Sequence, residues 1–144
     1  MMTFGEFERM LTASVATVHA RLEIGLDKVG MLAESIAAEI PGHQQPGWAP
    51  LAESTLKDKA DKGFPVPSPL KRTGEMAASY KKEVDPFELE MVIGSADKIA
   101  LYQEMGTLRG IPPRPVCEAA LKRSLPYAAD VFGEIAVSLL TGEK

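Results

Sequence analysis

The sequence predicts an α+β fold: a long N-terminal helix, a loop-rich centre with a small antiparallel β-sheet, and a C-terminal helix. Three observations predict it. Apolar residues recur at steps of three and four from Phe4 to Ile40, two short runs of strand character flank Asp85-Pro86, and a second helical stripe follows Pro115. The 144 residues suit one domain with a real core. It divides into a long helix over 1–40, an extended loop region over 41–72 and an α+β core over 73–144.

The first helix is the clearest element. Phe4, Phe7, Leu11, Val15, Val18, Leu22, Leu26, Val29, Leu32, Ile36 and Ile40 form one apolar stripe. Thr3 caps its start, Glu6 completes a capping box, and Pro41-Gly42 stops it. Unbroken, it would span roughly 55 Å at 1.5 Å per residue. A compact chain of this length has a diameter of only about 37 Å from the size scaling. The helix would then overhang its own domain and leave apolar surface for another subunit to cover. Gly25 and Gly30 offer the alternative, a kink that folds both halves onto one core, or else a close backbone contact.

Residues 41–50 hold too many breakers for regular structure and read as a loop that can be removed without loss of the fold, of a kind that can be disordered in the monomer and order on assembly. Leu51 to Lys62 predicts a short helix ended by Gly63. The three alternate prolines of 64–70 predict an extended segment that cannot donate a full ladder. Thr73 to Ser79 predicts a helical turn with Thr73 as its N-cap. Strands are expected at Tyr80–Val84 and Phe87–Ile93, joined at Asp85-Pro86, with Leu89, Met91 and Ile93 on one face. Asp97 should cap a helix to Met105, ended by Gly106-Thr107, with Gly106 in a left-handed C-cap. Pro115 suits the first position of the last helix, and Pro126 should kink it or start a new one.

Composition narrows the function. A formal charge of −4 and a hydrophobic fraction of 45% describe an ordinary globule with no global pull on nucleic acid. A single cysteine excludes an intrachain disulfide. The N-terminus lacks a basic leader followed by an apolar run, and no stretch is long and apolar enough to span a membrane. Cytoplasm, or a particle assembled there, is the expected location.

The residues offer little catalytic chemistry, and the reading is of a non-enzyme without metal or cofactor. His19 has only Glu23 at helical spacing and His43 sits in the 41–50 loop, so two histidines and one cysteine build no zinc site. Cys117 has no histidine near it in sequence and reads as a small core residue. Gly106 to Gly110 lacks the spacing and lysine of a phosphate loop. Glu88 and Glu90 read as a solvated strand face. Residues 51–82 hold seven Lys/Arg against four acids. Lys57, Lys59 and Lys62 alternate with Asp58 and Asp61 as on a solvated helix. Contact with an acidic partner or with DNA are the other readings of that segment.

A pattern in the loops adds to this. It runs Trp48-x-x-Leu51, Thr55, Lys59, Pro69-Leu70-x-x-Thr73-Gly74-x-Met76-x-x-Ser79, Gly94-Ser95, Tyr102-x-Glu104-x-Gly106-Thr107 and Pro113-Arg114-Pro115 with Ala120. Over roughly residues 46–121 the chain resembles the phage tail-completion proteins of the minor tail protein Z type, also called phage virion morphogenesis proteins. It departs from them where Val116-Cys117 replaces the usual Phe and apolar residue after Pro-Arg-Pro. The resemblance implies a structural protein at the neck of a tailed-phage or phage-derived virion, which completes the tail and joins it to the head. It implies a homo-oligomeric ring, a hexamer in the family, with tail-terminator and head-completion proteins as partners. It implies no catalysis, cofactor or membrane, with assembly in the host cytoplasm. The competing reading is a nucleic-acid-associated accessory protein using the 57–82 cations.

Candidate interface residues are Trp48, Leu51, Arg72, Tyr102, Glu104 and Arg114; Thr73, Gly74, Gly106, Thr107, Pro113 and Pro115 are structural turns and caps. Trp48 is either an interface anchor or a lid on the core. Arg114 either meets a carboxylate or carbonyl on a neighbour or is tied within the chain to Glu104 or Glu118.

Overall fold

The fold is that of a computed structural model describing residues 1–142; the last two residues of the expected 73–144 segment lie outside the described residues. Helix α1 runs Phe4–Glu39, α2 Glu53–Asp61, α3 Glu75–Ala78, α4 Lys98–Met105 and α5 Val116–Thr141. Strands β1 (Tyr80–Asp85) and β2 (Glu90–Ser95) form one antiparallel hairpin. The long N-terminal helix, small antiparallel sheet and C-terminal helix are the α+β arrangement expected from the sequence.

Helix α1 starts in the expected capping box. The Glu6 amide donates to Thr3 Oγ1 at 3.2 Å and the Thr3 amide donates to Glu6 Oε2 at 2.6 Å. The helix continues through Gly25 and Gly30 without a break, and both glycines are buried. A Cβ on Gly25 would sit 2.8 Å from Ile135 Cδ1 and 2.9 Å from Phe132 Cε1, so this glycine admits α5. One on Gly30 would meet Lys82 Cδ at 2.8 Å and Met91 Cγ at 3.1 Å, so that one admits the hairpin. They are close-contact positions, and the kinked alternative does not occur.

The hairpin lies along α1 and is pinned by charge. Lys82 Nζ pairs with Asp27, the Lys82 amide donates to Glu34 Oε2 at 2.9 Å, and Lys81 Nζ reaches Glu34 Oε1 at 3.1 Å. At the other side of α1, Arg21 Nη1 donates to Ser138 Oγ at 2.6 Å and fixes the far end of α5. Between these elements the core gathers Ala37, Ile40, Tyr80, Val116 and Ala120 with Trp48 and Met76. Every residue from 1 to 17 is exposed. Residues 4–17 therefore project from the domain as about 21 Å of bare helix.

Several local expectations are corrected. The second strand begins at Glu90 instead of Phe87, because Asp85 Oδ1 accepts the Phe87 and Glu88 amides at 2.8 and 3.1 Å and ties 86–89 into a turn. Leu89 completes that turn at φ 51°, so it and Glu88 lie off the strand. Residues 64–70 are not extended: turns at Val66-Pro67 and Pro69-Leu70, with Leu70 at φ 60°, wrap them around Lys59. Gly74, at φ 93°, occupies the N-cap expected for Thr73, since a side chain resists that conformation. Thr73 still accepts the Glu75 amide, at 3.4 Å. Pro115 is the N-cap and Val116 the first helical residue. Pro126 sits inside one continuous α5. Its neighbours at 121–123 and 125–127 are exposed, so water can serve the carbonyl it cannot bond.

The 41–50 loop is integral rather than removable. Trp48 and Gln45 are buried, Gln45 accepts from Arg123 on α5, and the Gly42 amide donates to the Pro69 carbonyl at 2.7 Å. His43 is exposed in this loop, and its Nδ1 lies 3.0 Å from the Glu39 carbonyl. The close crossing of α1 and α5 predicts that Gly25→Leu costs about 2 kcal/mol by overpacking. Urea unfolding of that variant should show a clearly lowered midpoint; an unchanged midpoint would remove Gly25 as the contact point.

Candidate functional site

The most built-up concavity is a cleft of about 720 Å³ at the C-terminal end of α1. Its walls come from the start of α2, the 64–76 segment, α4 and the 110–114 approach to α5. Lys59, Lys71, Arg72 and Arg114 line it against only two acids, Glu75 and Asp97. A protein of net charge −4 thus concentrates cations in one hollow.

Lys59 is the unexpected member. The alternation with Asp58 and Asp61 predicted a solvated lysine, yet it is 3% exposed. Its Nζ donates to the carbonyls of Ser68 and, at 2.7 Å, of Lys71, so the 64–72 segment folds around one ammonium. Among the described residues it pairs with no carboxylate; Asp58 pairs instead with Lys62 and Arg72. Burial lowers the Lys59 pKa, and the Arg72 charge lowers it further.

Arg114 is 6% exposed and is tied within the chain, though not to Glu104 or Glu118. Its Nη2 donates to the Ala49 carbonyl at 3.0 Å and the Pro50 carbonyl at 3.4 Å, closing the 41–50 loop over the core. Burial lowers its pKa from the usual guanidinium value. Its Nε is buried without a hydrogen-bond partner among the described residues, and so is Gln103 Oε1 on α4. Their backbones pair directly, the Arg114 amide donating to the Gln103 carbonyl at 2.6 Å. Both side-chain atoms are buried where α4 meets the approach to α5.

The remaining candidates separate into roles. Trp48, 8% exposed, is a lid on the core and presents no interface. Glu104 faces inward: its Oε1 accepts the Val116 and Cys117 amides at 2.9 and 2.6 Å, so it caps α5 from another helix. Leu51 lines the cleft, half-buried. Arg72 stands at its rim, paired with Asp58 and stacked 5.2 Å over the Phe64 ring. Tyr102 is exposed on α4 outside the cleft. Gly106 has the expected positive φ, 70°, but with ψ at 178° it is extended and not a left-handed cap. A Cβ there would meet the Ile111 carbonyl at 2.8 Å, because the Thr107 amide draws that carbonyl in to close the 107–113 loop. Pro113 packs against the same glycine.

Other clusters behave as follows. His19 bonds the Pro86 carbonyl of the hairpin turn rather than Glu23. Of the 57–82 cations, Lys62, Arg72, Lys81 and Lys82 are in ion pairs and Lys59 is internal. Among the described residues no three of His, Cys, Asp and Glu converge as metal ligands would, and no helix is long and apolar enough to cross a membrane.

Two outcomes follow. Lys59→Met should cost about 1–3 kcal/mol by orphaning the Ser68 and Lys71 carbonyls. It should also speed tryptic cleavage after Lys71 and Arg72; wild-type cleavage rates would contradict the role given to Lys59. Burial, with Glu104 nearby, pushes the Cys117 thiol up to about 12, and burial also raises the Tyr80 hydroxyl. Both groups fold in their protonated forms, so their stabilisation is full below the unfolded pKa values and is lost as pH rises from about 9 towards the folded values. Urea midpoints should fall across that window, with a shallower fall in Cys117→Ala; an equal slope in both proteins would contradict this. Comparison of the chain with known protein families, curated proteins and solved structures finds no match.

Proposed function

We propose that the chain is a non-catalytic assembly subunit of a tailed-phage or phage-derived particle, a tail-completion protein acting at the neck where tail joins head. One observation carries this reading: the apolar stripe of α1 continues into solvent beyond the domain. Phe4 is 83% exposed, and Phe7, Met10, Leu11 and Val15 are exposed with it. Burying each such side chain is worth about 1.5–3 kcal/mol, so covering the four turns is a substantial driving force for association. Val137 and Leu140 on α5 are exposed as well. Self-association into a ring, with tail-terminator and head-completion proteins as neighbours, is the arrangement that the loop pattern of residues 46–121 suggests.

The internal structure supports a joint rather than a catalyst. The only cysteine is held as a thiol, and the buried cations hold loops to the core.

The triple variant Phe7→Glu, Leu11→Glu, Val15→Glu tests the proposal. Its monomer should keep the wild-type urea midpoint, because these residues touch no core. In a particle complementation assay it should leave heads and tails unjoined and cut infectivity by about a hundredfold or more. Normal particles from the triple variant would overturn the reading.

A further inference from the structure

The tip of the β-hairpin is the chemical complement of the cleft. Residues 83–90 carry Glu83, Asp85, Glu88 and Glu90, all exposed, and no cation. None of these four acids forms an ion pair among the described residues. At their centre Phe87 is 89% exposed, held out by the turn that Asp85 caps. Phe87 and these four acids make one compact acidic and aromatic tip.

The cleft supplies the opposite. Its cations outnumber its acids, Lys59 holds a charge with no carboxylate beside it, and one N–H of that ammonium remains after its two carbonyls. Leu51, Phe64, Ile99 and Ile111 give apolar wall for a ring. A volume of about 720 Å³ accepts a turn of a few residues.

The tip cannot reach the cleft of its own chain. Pro86 is held at His19, while the cleft lies beyond the end of α1, where Gly42 packs on Lys71. The twenty residues of helix between His19 and Glu39 measure about 30 Å. The ion pairs of Lys81 and Lys82 with α1 keep the hairpin flat on that helix.

We propose that the hairpin tip of one copy docks in the cationic cleft of the next, Phe87 entering between the apolar walls and the carboxylates meeting Lys71 and Arg72. The contact is head-to-tail: donor and acceptor are different surfaces, so each subunit uses both and the chain of contacts closes as a ring or runs on as a filament. It deepens, and rests on, the reading of the chain as an assembly subunit. The α1 stripe is a separate surface.

Two purified variants test it. A tip variant, Phe87→Ala with Glu88→Lys, and a cleft variant, Lys71→Glu with Arg72→Glu, change exposed residues and should both fold, as circular dichroism and urea midpoints would verify. Light scattering across a concentration series should show wild type growing beyond a dimer. Each variant alone should associate at least about tenfold more weakly. An equimolar mixture holds one intact tip and one intact cleft, and should form a heterodimer and stop there. A peptide of residues 83–90 should inhibit wild-type assembly, while its Phe87→Ala form should not.

Wild type that stays monomeric, variants that assemble as well as wild type, or a mixture that forms no heterodimer would each overturn the tip-to-cleft contact. Inhibition by any acidic peptide regardless of Phe87 would identify the cleft as a general acidic-segment site and also overturn it. Assembly that persists in both variants but is lost on mutating α1 would sink this contact and leave the assembly reading standing.

Discussion

A helix longer than its domain sets the terms for everything else in the molecule. Two glycines on its C-terminal half, Gly25 and Gly30, let α5 and the β-hairpin come close enough to build a core from small residues such as Ala33 and Ala37. That packing is confined to the residues that can be approached. Among the described residues, those from 4 to 17 are all exposed, so the stripe runs on into solvent. The domain is stable at one end of α1 and unfinished at the other. A capping box at Thr3 and Glu6 keeps the free end helical by satisfying its first amides locally.

The same helix keeps the two charged features apart. The acidic hairpin tip is fixed beside His19 and the cationic cleft is built beyond Ile40, so the sign of charge changes along α1. In the cleft the cations do two jobs. Lys59 and Arg114 spend hydrogen bonds on loop carbonyls that would otherwise be unpaired, while Lys71 and Arg72 keep positive charge exposed at the hollow. A site held this way is rigid before any partner arrives, which lowers the ordering cost of binding.

Much of the fold was legible because its signals are local. The apolar period of α1, its capping box, the Asp97 cap of α4 and the hairpin all depend on residues within a few positions of one another. The errors arise where a distant backbone group is the partner. Lys59 looked solvated because alternating charges are the usual mark of a wet helix, and no sequence pattern announces that Ser68 and Lys71 will turn their carbonyls towards it. Glu104 capping α5 and Arg114 holding Ala49 and Pro50 are long-range in the same way. Trp48 was open between two readings because an aromatic in a Pro/Gly loop fits either; the Arg114 tie is what turns it inward. The three prolines of 64–70 suggest an extended segment, but the turns that wrap it around Lys59 depend on that distant ammonium.

Hydrogen exchange along α1 tests most directly whether its bare stripe is a surface for neighbours. Unsupported by packing, the amides of residues 8–17 should exchange fast in dilute protein, while those near Ala33 and Ala37 exchange slowly. As concentration rises and assemblies form, protection of 8–17 should increase by about tenfold or more, in step with the measured mass. Exchange at 8–17 that is already slow in the dilute monomer, or that stays fast in the assembled protein, would contradict the account.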